Sequence, residues 1–384
     1  MKPSARSEVA PFYVMEVMKA AAEREAAGGE VLHLEVGQPV TPAPQGAIGA
    51  AQAALSADRL GYTPALGVDQ LRRRIVRHYA DAYGVVVPVG RVAVTIGASG
   101  GMILALLAAL DPGARVGITE PGYAAYRNMI TALDLELVGI RIGPESRWVA
   151  TPGAIEAAGP LDALVVASPS NPTGTTMTGP ELEAVAHYCE AADVRLLSDE
   201  IYHGITFERP ASTAAEFSDS AVVVQSFSKY YSMTGWRLGW LVLPEDLVRP
   251  VEVLAQNLFI SPPALSQLAG LAALDCTEEL DHNVARYAER RRVVVAGLVA
   301  AGITQIAPPD GGFYVWADVS HLTDDSQALC AQWLDELRVA ATPGVDFDPE
   351  AGHRFVRFSY SESTEAMEEA MRRLAAWVER RPPR

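Results

Sequence analysis

Lysine is nearly missing from this chain. Of 384 residues only Lys2, Lys19 and Lys229 carry a primary amine, and arginine fills the other 28 of the 31 basic positions. A guanidinium keeps its proton in practice, whereas an amine can lose it and attack a carbonyl, so amine chemistry has few places to reside here. Cysteine is scarce too. Cys189, Cys276 and Cys330 are odd in number and far apart, with no CxxC pair, which fits a reducing compartment and excludes a disulfide framework or thiolate zinc site. The seven histidines form no HxxxH pair, so no metal is expected. Positive charge is in deficit, with a net charge of −16, and an acidic chain repels phosphate backbones, so no nucleic-acid partner is expected. Long apolar runs are missing as well. Val85–Val89 and Met102–Leu110 are too short to span a bilayer, and Met1–Arg6 lead into none; no membrane association and a cytoplasmic location are expected.

What the chain does have is apolar material in strand- and helix-sized pieces. Hydrophobic residues make up 49% of it, enough for large cores. Arg91–Ile96, Ala114–Thr119, Ala163–Ala167, Arg195–Ser198, Ala221–Val224 and Leu238–Leu243 are strand-sized, several of them β-branched throughout, as in strands buried on both faces of a largely parallel sheet. Amphipathic stretches at Gly101–Ala109, Tyr123–Leu133 and Pro180–Ala192 separate them as helices. The runs Arg72–Arg74 and Arg290–Arg292 read as solvated helix faces. After about residue 280 the texture changes to a long helix over Leu280–Ala301, strands at Gly312–Ala317 and Phe355–Ser359, and a closing helix at Thr364–Glu379. The expected fold is α/β: a large domain over 40–280 with a mostly parallel sheet flanked by helices, and a smaller α+β domain over 281–384, joined by the N-terminal arm 1–39.

Polar residues gather at the ends of the proposed strands, where open parallel sheets bind ligands. Gly97-Ala98-Ser99-Gly100-Gly101 follows Ile96 and precedes a helix. It reads either as a tight turn that needs glycine or as a phosphate cradle of backbone N–H groups. Asn171 sits in Ser168–Gly174, where turn chemistry is the alternative. Asp199 and Tyr202 follow Leu197, and a carboxylate there could merely cap a helix. Lys229 follows Ala221–Gln225, flanked by Ser226 and Ser228, with Arg237 eight residues on. Four candidates at four strand ends fit one chemistry. If Lys229 forms a Schiff base with an aldehyde cofactor bearing a pyridine ring and a phosphate, Asp199 would keep the ring nitrogen protonated so that the ring draws electrons. Asn171 and Tyr202 would donate to the phenolic oxygen. Ala98, Ser99, Ser226, Ser228 and Arg237 would hold the phosphate, and Tyr123, after Glu120-Pro121-Gly122, would stack on the ring.

In these residues the chain resembles the class I/II pyridoxal-phosphate-dependent aminotransferases, of the aspartate-aminotransferase-like fold. Ser226–Gly239 is similar to the family's lysine signature, with Met233-Thr234-Gly235-Trp236-Arg237-Leu238-Gly239. Val36-Gly37-Gln38-Pro39, Tyr62–Gly67 followed by Leu71-Arg72, Ser170–Gly174, Ser198–Tyr202, Gly311–Tyr314 and Val356–Ser359 match further motifs in the family's order. The resemblance implies pyridoxal 5'-phosphate as cofactor and an L-amino acid and a 2-oxo acid as substrates. It implies that Lys229 holds the cofactor and shuttles the proton between the substrate α-carbon and the cofactor. It further implies that Arg357 clamps the substrate carboxylate with Asn171 and the Gly37 backbone, and that Tyr62 reaches the phosphate of a neighbouring subunit in a homodimer. The arm residues Pro11-Phe12-Tyr13-Val14 would lie near the substrate side chain, with Tyr13 as a substrate contact, and their apolar character favours a neutral or aromatic donor.

Tyr123 stands where many relatives have tryptophan, Tyr126 being the less favoured substitute, and the phosphate turn lacks the lysine of some aspartate-using relatives. A β-eliminating lyase or a decarboxylase would use the same site, since the outcome depends on which bond stands perpendicular to the ring. A non-catalytic regulator is least favoured, because Lys229, Asp199, Asn171, Arg237 and Arg357 are all retained and the net charge opposes DNA binding.

Overall fold

A computed structural model describes residues 2–57 and 59–380; Met1, Asp58 and residues 381–384, which the sequence reading includes in its two domains, lie outside the described residues. Eleven strands are described: β1 Leu32–Leu34, β2 Val92–Thr95, β3 Arg115–Glu120, β4 Glu136–Arg141, β5 Ala163–Ala167, β6 Arg195–Asp199, β7 Val222–Ser226, β8 Gly239–Val242, β9 Tyr314–Asp318, β10 Val339–Pro343 and β11 Phe355–Ser359. Seven of them form one sheet in the order β2-β8-β7-β6-β5-β3-β4. Its neighbours pair in parallel except β8, which runs antiparallel to both β2 and β7.

Side chains alternate across this sheet, and both faces are buried. Ala163 and Val165 of β5 join one core with Val222, Val224 and Leu241, while Leu164 and Val166 join the other with Val223 and Trp240. Helices cover both faces and start where the chemistry of the sequence dictates. At Thr178 the hydroxyl accepts from Glu181 N at 3.3 Å and the Glu181 carboxylate accepts from Thr178 N at 2.7 Å, which opens the helix Gly179–Ala191. The helix Gly97–Ala109 is different: no side chain caps it, so its first N–H groups are left for a ligand.

A second sheet, β1-β10-β11-β9, packs with the helices Thr277–Ala300, Ser326–Leu337 and Thr364–Glu379 around Trp333, Phe358, Tyr360 and Leu374. The arm contributes to it. β1 pairs in parallel with β10, and the helix Tyr13–Ala26 is tied to the same unit by Arg24 to Asp335 and by the Asp346 carboxylate, which accepts from Tyr13 N and Val14 N at 3.2 Å each.

Several elements depart from the sequence reading. β1, β4 and β10 lie outside the proposed strands, and the helix expected from Gly101 begins four residues earlier, at Gly97. β4 is one edge of the sheet, and of its residues only Ile140 is buried, so it lacks the unbroken apolar signature of its buried neighbours.

Candidate active site

All the strand-end residues singled out above lie on one rim of the large sheet, the carboxyl ends of β2, β3, β5, β6 and β7, where they meet the face of the small sheet. A cavity of about 270 Å³ opens there. It is lined by Gly37, Ala98, Ser99, Tyr123, Asn171, Asp199, Tyr202, Ser226, Ser228, Lys229, Arg237 and Arg357, together with Phe12, Val14, Met102, Tyr126, Met129, Ile201, Thr234 and Tyr314.

Lys229 follows the end of β7. The chain turns back at once: Phe227 N bonds Leu238 O at 3.0 Å and Met233 N bonds Phe227 O at 3.0 Å, and Ser232 and Arg237 take the left-handed conformation (φ 53° and 52°) that closes this loop. Lys229 Nζ donates to Gly37 O at 2.6 Å and lies 5.6 Å from the centre of the Tyr202 ring. Burial, and then the Arg357 cation, push its pKa down from 10.5 to about 8, against the opposing pull of Asp199.

Asp199 ends β6, buried, with Oδ1 accepting from Ile201 N at 3.1 Å and Oδ2 from the Tyr126 hydroxyl. Burial lifts its pKa to about 7, with the Ile201 N–H and Lys229 pulling it down. Tyr202 is buried and shares a 2.8 Å hydrogen bond with the Tyr314 hydroxyl. Tyr123 is edge-on to both Tyr126 and Phe12, with ring centres 5.4 and 5.8 Å apart.

Arg357 enters from the small sheet. Val356 and Phe358 of β11 point into its core, so strand alternation sends Arg357 to the opposite face. The guanidinium donates to Asn171 Oδ1 at 3.0 Å, to Thr342 Oγ1 at 3.2 Å and to Glu35 O, between the rings of Tyr314 and Phe347, whose centres lie 4.5 and 4.8 Å away. Gly37 is required here because a Cβ would overlap the Tyr314 hydroxyl.

The end of the cavity near β2 is built for an anion. The uncapped start of the helix Gly97–Ala109 offers the N–H groups of Ala98 and Ser99, and the hydroxyls of Ser226 and Ser228 stand 2.9 Å apart. Arg237 is exposed and donates to Thr234 O at 3.0 Å. At Gly97 (φ +76°) a Cβ would come within 2.6 Å of Arg237 Nη2, so only glycine admits the guanidinium to the helix start.

Two residues sit elsewhere. Tyr62, 84% exposed, lies outside this cavity, in a groove with exposed Leu258. Tyr13 lines a different groove with Val17 and Leu334; its neighbours Phe12 and Val14 face the cavity instead, Phe12 from the extended residue ahead of the helix and Val14 from about 100° round the helix from Tyr13. The sequence reading missed Tyr314, Phe347 and Thr342 around Arg357 and the Tyr126–Asp199 bond. A tyrosine one helical turn beyond Tyr123 was the available signal for the last.

These residues fit pyridoxal phosphate. Asp199 is a buried carboxylate with two neutral donors, which a protonated pyridine nitrogen would complete, and the helix start, paired serines and Arg237 match a phosphate dianion.

Comparison with known proteins defines the class. A family model of class I and II aminotransferases matches residues 29–374, and the chain belongs to that family, whose members depend on pyridoxal phosphate. It is 47% identical over 378 residues to the valine–pyruvate aminotransferase of Mycobacterium tuberculosis, covering 97% of each. It is 32% identical over 385 residues to the aspartate/prephenate aminotransferase of Thermus thermophilus, covering 98% of this chain and 96% of that one. Among solved structures, an aminotransferase from Mycobacterium tuberculosis matches with a TM-score of 0.97 at 46% identity, over 99% of this chain and 100% of that one. Thermus thermophilus aspartate aminotransferase with maleate matches with a TM-score of 0.93 at 29% identity, over 98% and 99%. The chain is a transaminase acting between amino acids and 2-oxo acids. No helix among the described residues is long and apolar enough to cross a membrane, and no cluster of metal-ligating side chains occurs among them.

Proposed function

We propose that this transaminase moves the amino group of a neutral aliphatic L-amino acid to a short 2-oxo acid of the pyruvate type, with pyridoxal phosphate attached through Lys229. The observation that carries the donor class is the charge inventory of the cavity. Among the described residues, its only lining cations are Lys229, Arg237 and Arg357. With Lys229 engaged on the cofactor and Arg237 on the phosphate, Arg357 alone is free for a carboxylate, and the α-carboxylate takes it. Among the described residues of one chain no lining cation remains for a second carboxylate, and Phe12, Val14, Met102, Met129 and Ile201 supply apolar wall for a side chain. The valine–pyruvate specificity named for the Mycobacterium tuberculosis relative agrees with this reading.

Pyridoxal phosphate, when bound, supplies the carbonyl for the amine and a ring that draws the electron pair left at the substrate α-carbon. In this reading Asp199 and Tyr126 hold the proton on the ring nitrogen, and Tyr202 and Asn171 donate to the ring's oxygen. Ala98, Ser99, Ser226, Ser228 and Arg237 bind the phosphate, and Tyr123 covers the ring. Arg357 and Asn171 would orient the substrate so that Lys229 Nζ, free once the substrate amine had taken its place, could carry the proton between the substrate α-carbon and the cofactor's imine carbon. Chains pair as a homodimer, with Tyr62 of each reaching the other's phosphate; its exposure in a groove with exposed Leu258 supports this. A division into a large domain over 40–280 and a small domain of the arm plus 281–384 is supported by the presence of two separate sheets, and three free thiols support a cytoplasmic location.

Steady-state assays over valine, alanine, phenylalanine and aspartate with pyruvate as acceptor test the donor class. The largest kcat/KM is expected for valine or alanine; aspartate leading the series would overturn it.

A further inference from the structure

Three consecutive carbonyls after β1 are each hydrogen-bonded by a different side chain, two of them belonging to the site. Glu35 O accepts from Arg357 Nη2 and from Thr342 Oγ1 (3.2 Å), Val36 O from Ser361 Oγ (3.2 Å) and Gly37 O from Lys229 Nζ (2.6 Å). One extended segment is therefore a rail on which both the carboxylate-binding arginine and the amine are seated.

At the head of this rail is a charge that no step above uses. The Glu35 side chain is fully buried, with Oε1 2.8 Å from His33 Nδ1 and no partner for Oε2 among the described residues. His33 turns its other nitrogen to Glu25 of the helix Tyr13–Ala26, 3.1 Å away. Burying a carboxylate costs more than burying an apolar side chain of similar size, so stability alone gives no reason for an acid at position 35. Its placement gives one. The relay runs from the arm helix, whose start carries Phe12 and Val14 into the cavity, through His33 and Glu35 to the peptide that seats Arg357. The hydrogen-bond partners of Arg357 are all neutral oxygens, on Asn171, Thr342 and Glu35, so its orientation depends on where that peptide is held.

We infer that Glu25, His33 and Glu35 form a positioning relay that holds the Glu35–Gly37 rail, and that the enzyme's affinity for substrate carboxylates depends on this relay being charged. The inference rests on Arg357 as the carboxylate clamp. The groups facing His33 are Glu35 from its own segment and Glu25 from the arm helix; the Glu35 hydrogen bond is the largest influence, and together they lift the His33 pKa from 6.5 to about 9 against the effect of burial. A folded-state value above the unfolded one means that the pair's stabilisation is complete below about pH 6.5 and is lost as pH rises through about 9. Above that, the His33 ring is neutral and its hold on the Glu35 side chain weakens, and the rail loosens.

The test titrates 3-methylbutanoate, an unreactive carboxylate with the carbon skeleton of valine, into the cofactor-loaded enzyme by calorimetry. Wild type, His33→Gln and Glu35→Gln are compared at pH values about 1.5 units below and about one unit above the His33 value. At the lower pH both variants are expected to bind about tenfold more weakly than wild type. At the higher pH wild type should weaken toward the variants, while Glu35→Gln, with no charge left to strand, changes less. Lys229 and Asp199 titrate in all three proteins, so the difference from wild type is the signal. In Glu35→Gln the His33 ring, followed by NMR, should titrate closer to 6.5. Affinities in both variants within about twofold of wild type at both pH values would overturn the relay, whatever their thermal stability. Arg357→Gln, run alongside, separates the two ideas: if it binds the probe as tightly as wild type, the clamp itself is wrong.

Discussion

Tyr126 donates its hydroxyl proton to Oδ2 of Asp199, and both side chains are buried. With the Ile201 N–H on the other oxygen, the carboxylate has a neutral donor on each side and meets its cation only when a ligand brings one. Tyr126→Phe removes a hydrogen bond to an ionised acceptor, worth about 1.5–3 kcal/mol. Asp199 then rises further above its ordinary range and holds a ring proton less firmly. The expected result is a kcat lower by roughly ten- to a hundredfold with KM changed by less than about threefold, read from steady-state kinetics.

Lys229 sits at about 8 rather than 10.5, so its neutral amine predominates from mildly alkaline pH upward. Capture of added pyridoxal phosphate by cofactor-free protein, followed by stopped-flow absorbance, should accelerate through about pH 8 and then level off. An acceleration centred near 10.5 would be contrary. Stability carries the same sign. Between about 8 and 10.5 the unfolded chain holds a proton that the folded amine has released, so the Lys229 contribution to stability increases with pH across that window.

Replacing Arg357 should raise KM for the amino acid and the 2-oxo acid together. Arg357→Gln and Arg357→Lys are both expected to lose roughly a hundredfold in kcat/KM. Lysine keeps the charge but cannot reach Asn171, Thr342 and the Glu35 carbonyl at once from a single ammonium. A lysine variant with wild-type KM would show that charge alone suffices.

Tyr62 gives a test that needs two chains. Tyr62→Ala alone should retain cofactor poorly, and Lys229→Ala alone should be inactive. Mixed under subunit exchange, they should recover activity, because hybrid dimers contain one site with an intact Lys229 and the partner's intact tyrosine. No recovery from demonstrated hybrids would remove Tyr62 from the composite site.

The lysine, aspartate, asparagine and arginine positions were readable in the sequence because each follows a buried, β-branched strand or falls within a constrained motif. β5 and β11 keep the proposed limits, Ala163–Ala167 and Phe355–Ser359, and β7 starts one residue later than proposed. What the sequence could not give was direction. Whether Phe12, Tyr13 or Val14 faces the cavity depends on the residue at which the helix begins, and that start is set by Asp346, more than three hundred residues away. Tyr126 next to Asp199 is likewise a contact between a helix after β3 and the end of β6. Glu35 left no local signal, since an acid after a short apolar strand reads as surface until the small sheet closes over it.

Proton movement at the substrate α-carbon tests the central assignment most directly. The cofactor-loaded enzyme is incubated with valine in deuterated water without any acceptor, and deuterium at the α-carbon is followed by NMR. The account predicts rapid exchange in wild type and a loss of at least about a thousandfold in Lys229→Arg, which keeps a cation but has no amine to move the proton. Exchange at the wild-type rate in Lys229→Arg would contradict it.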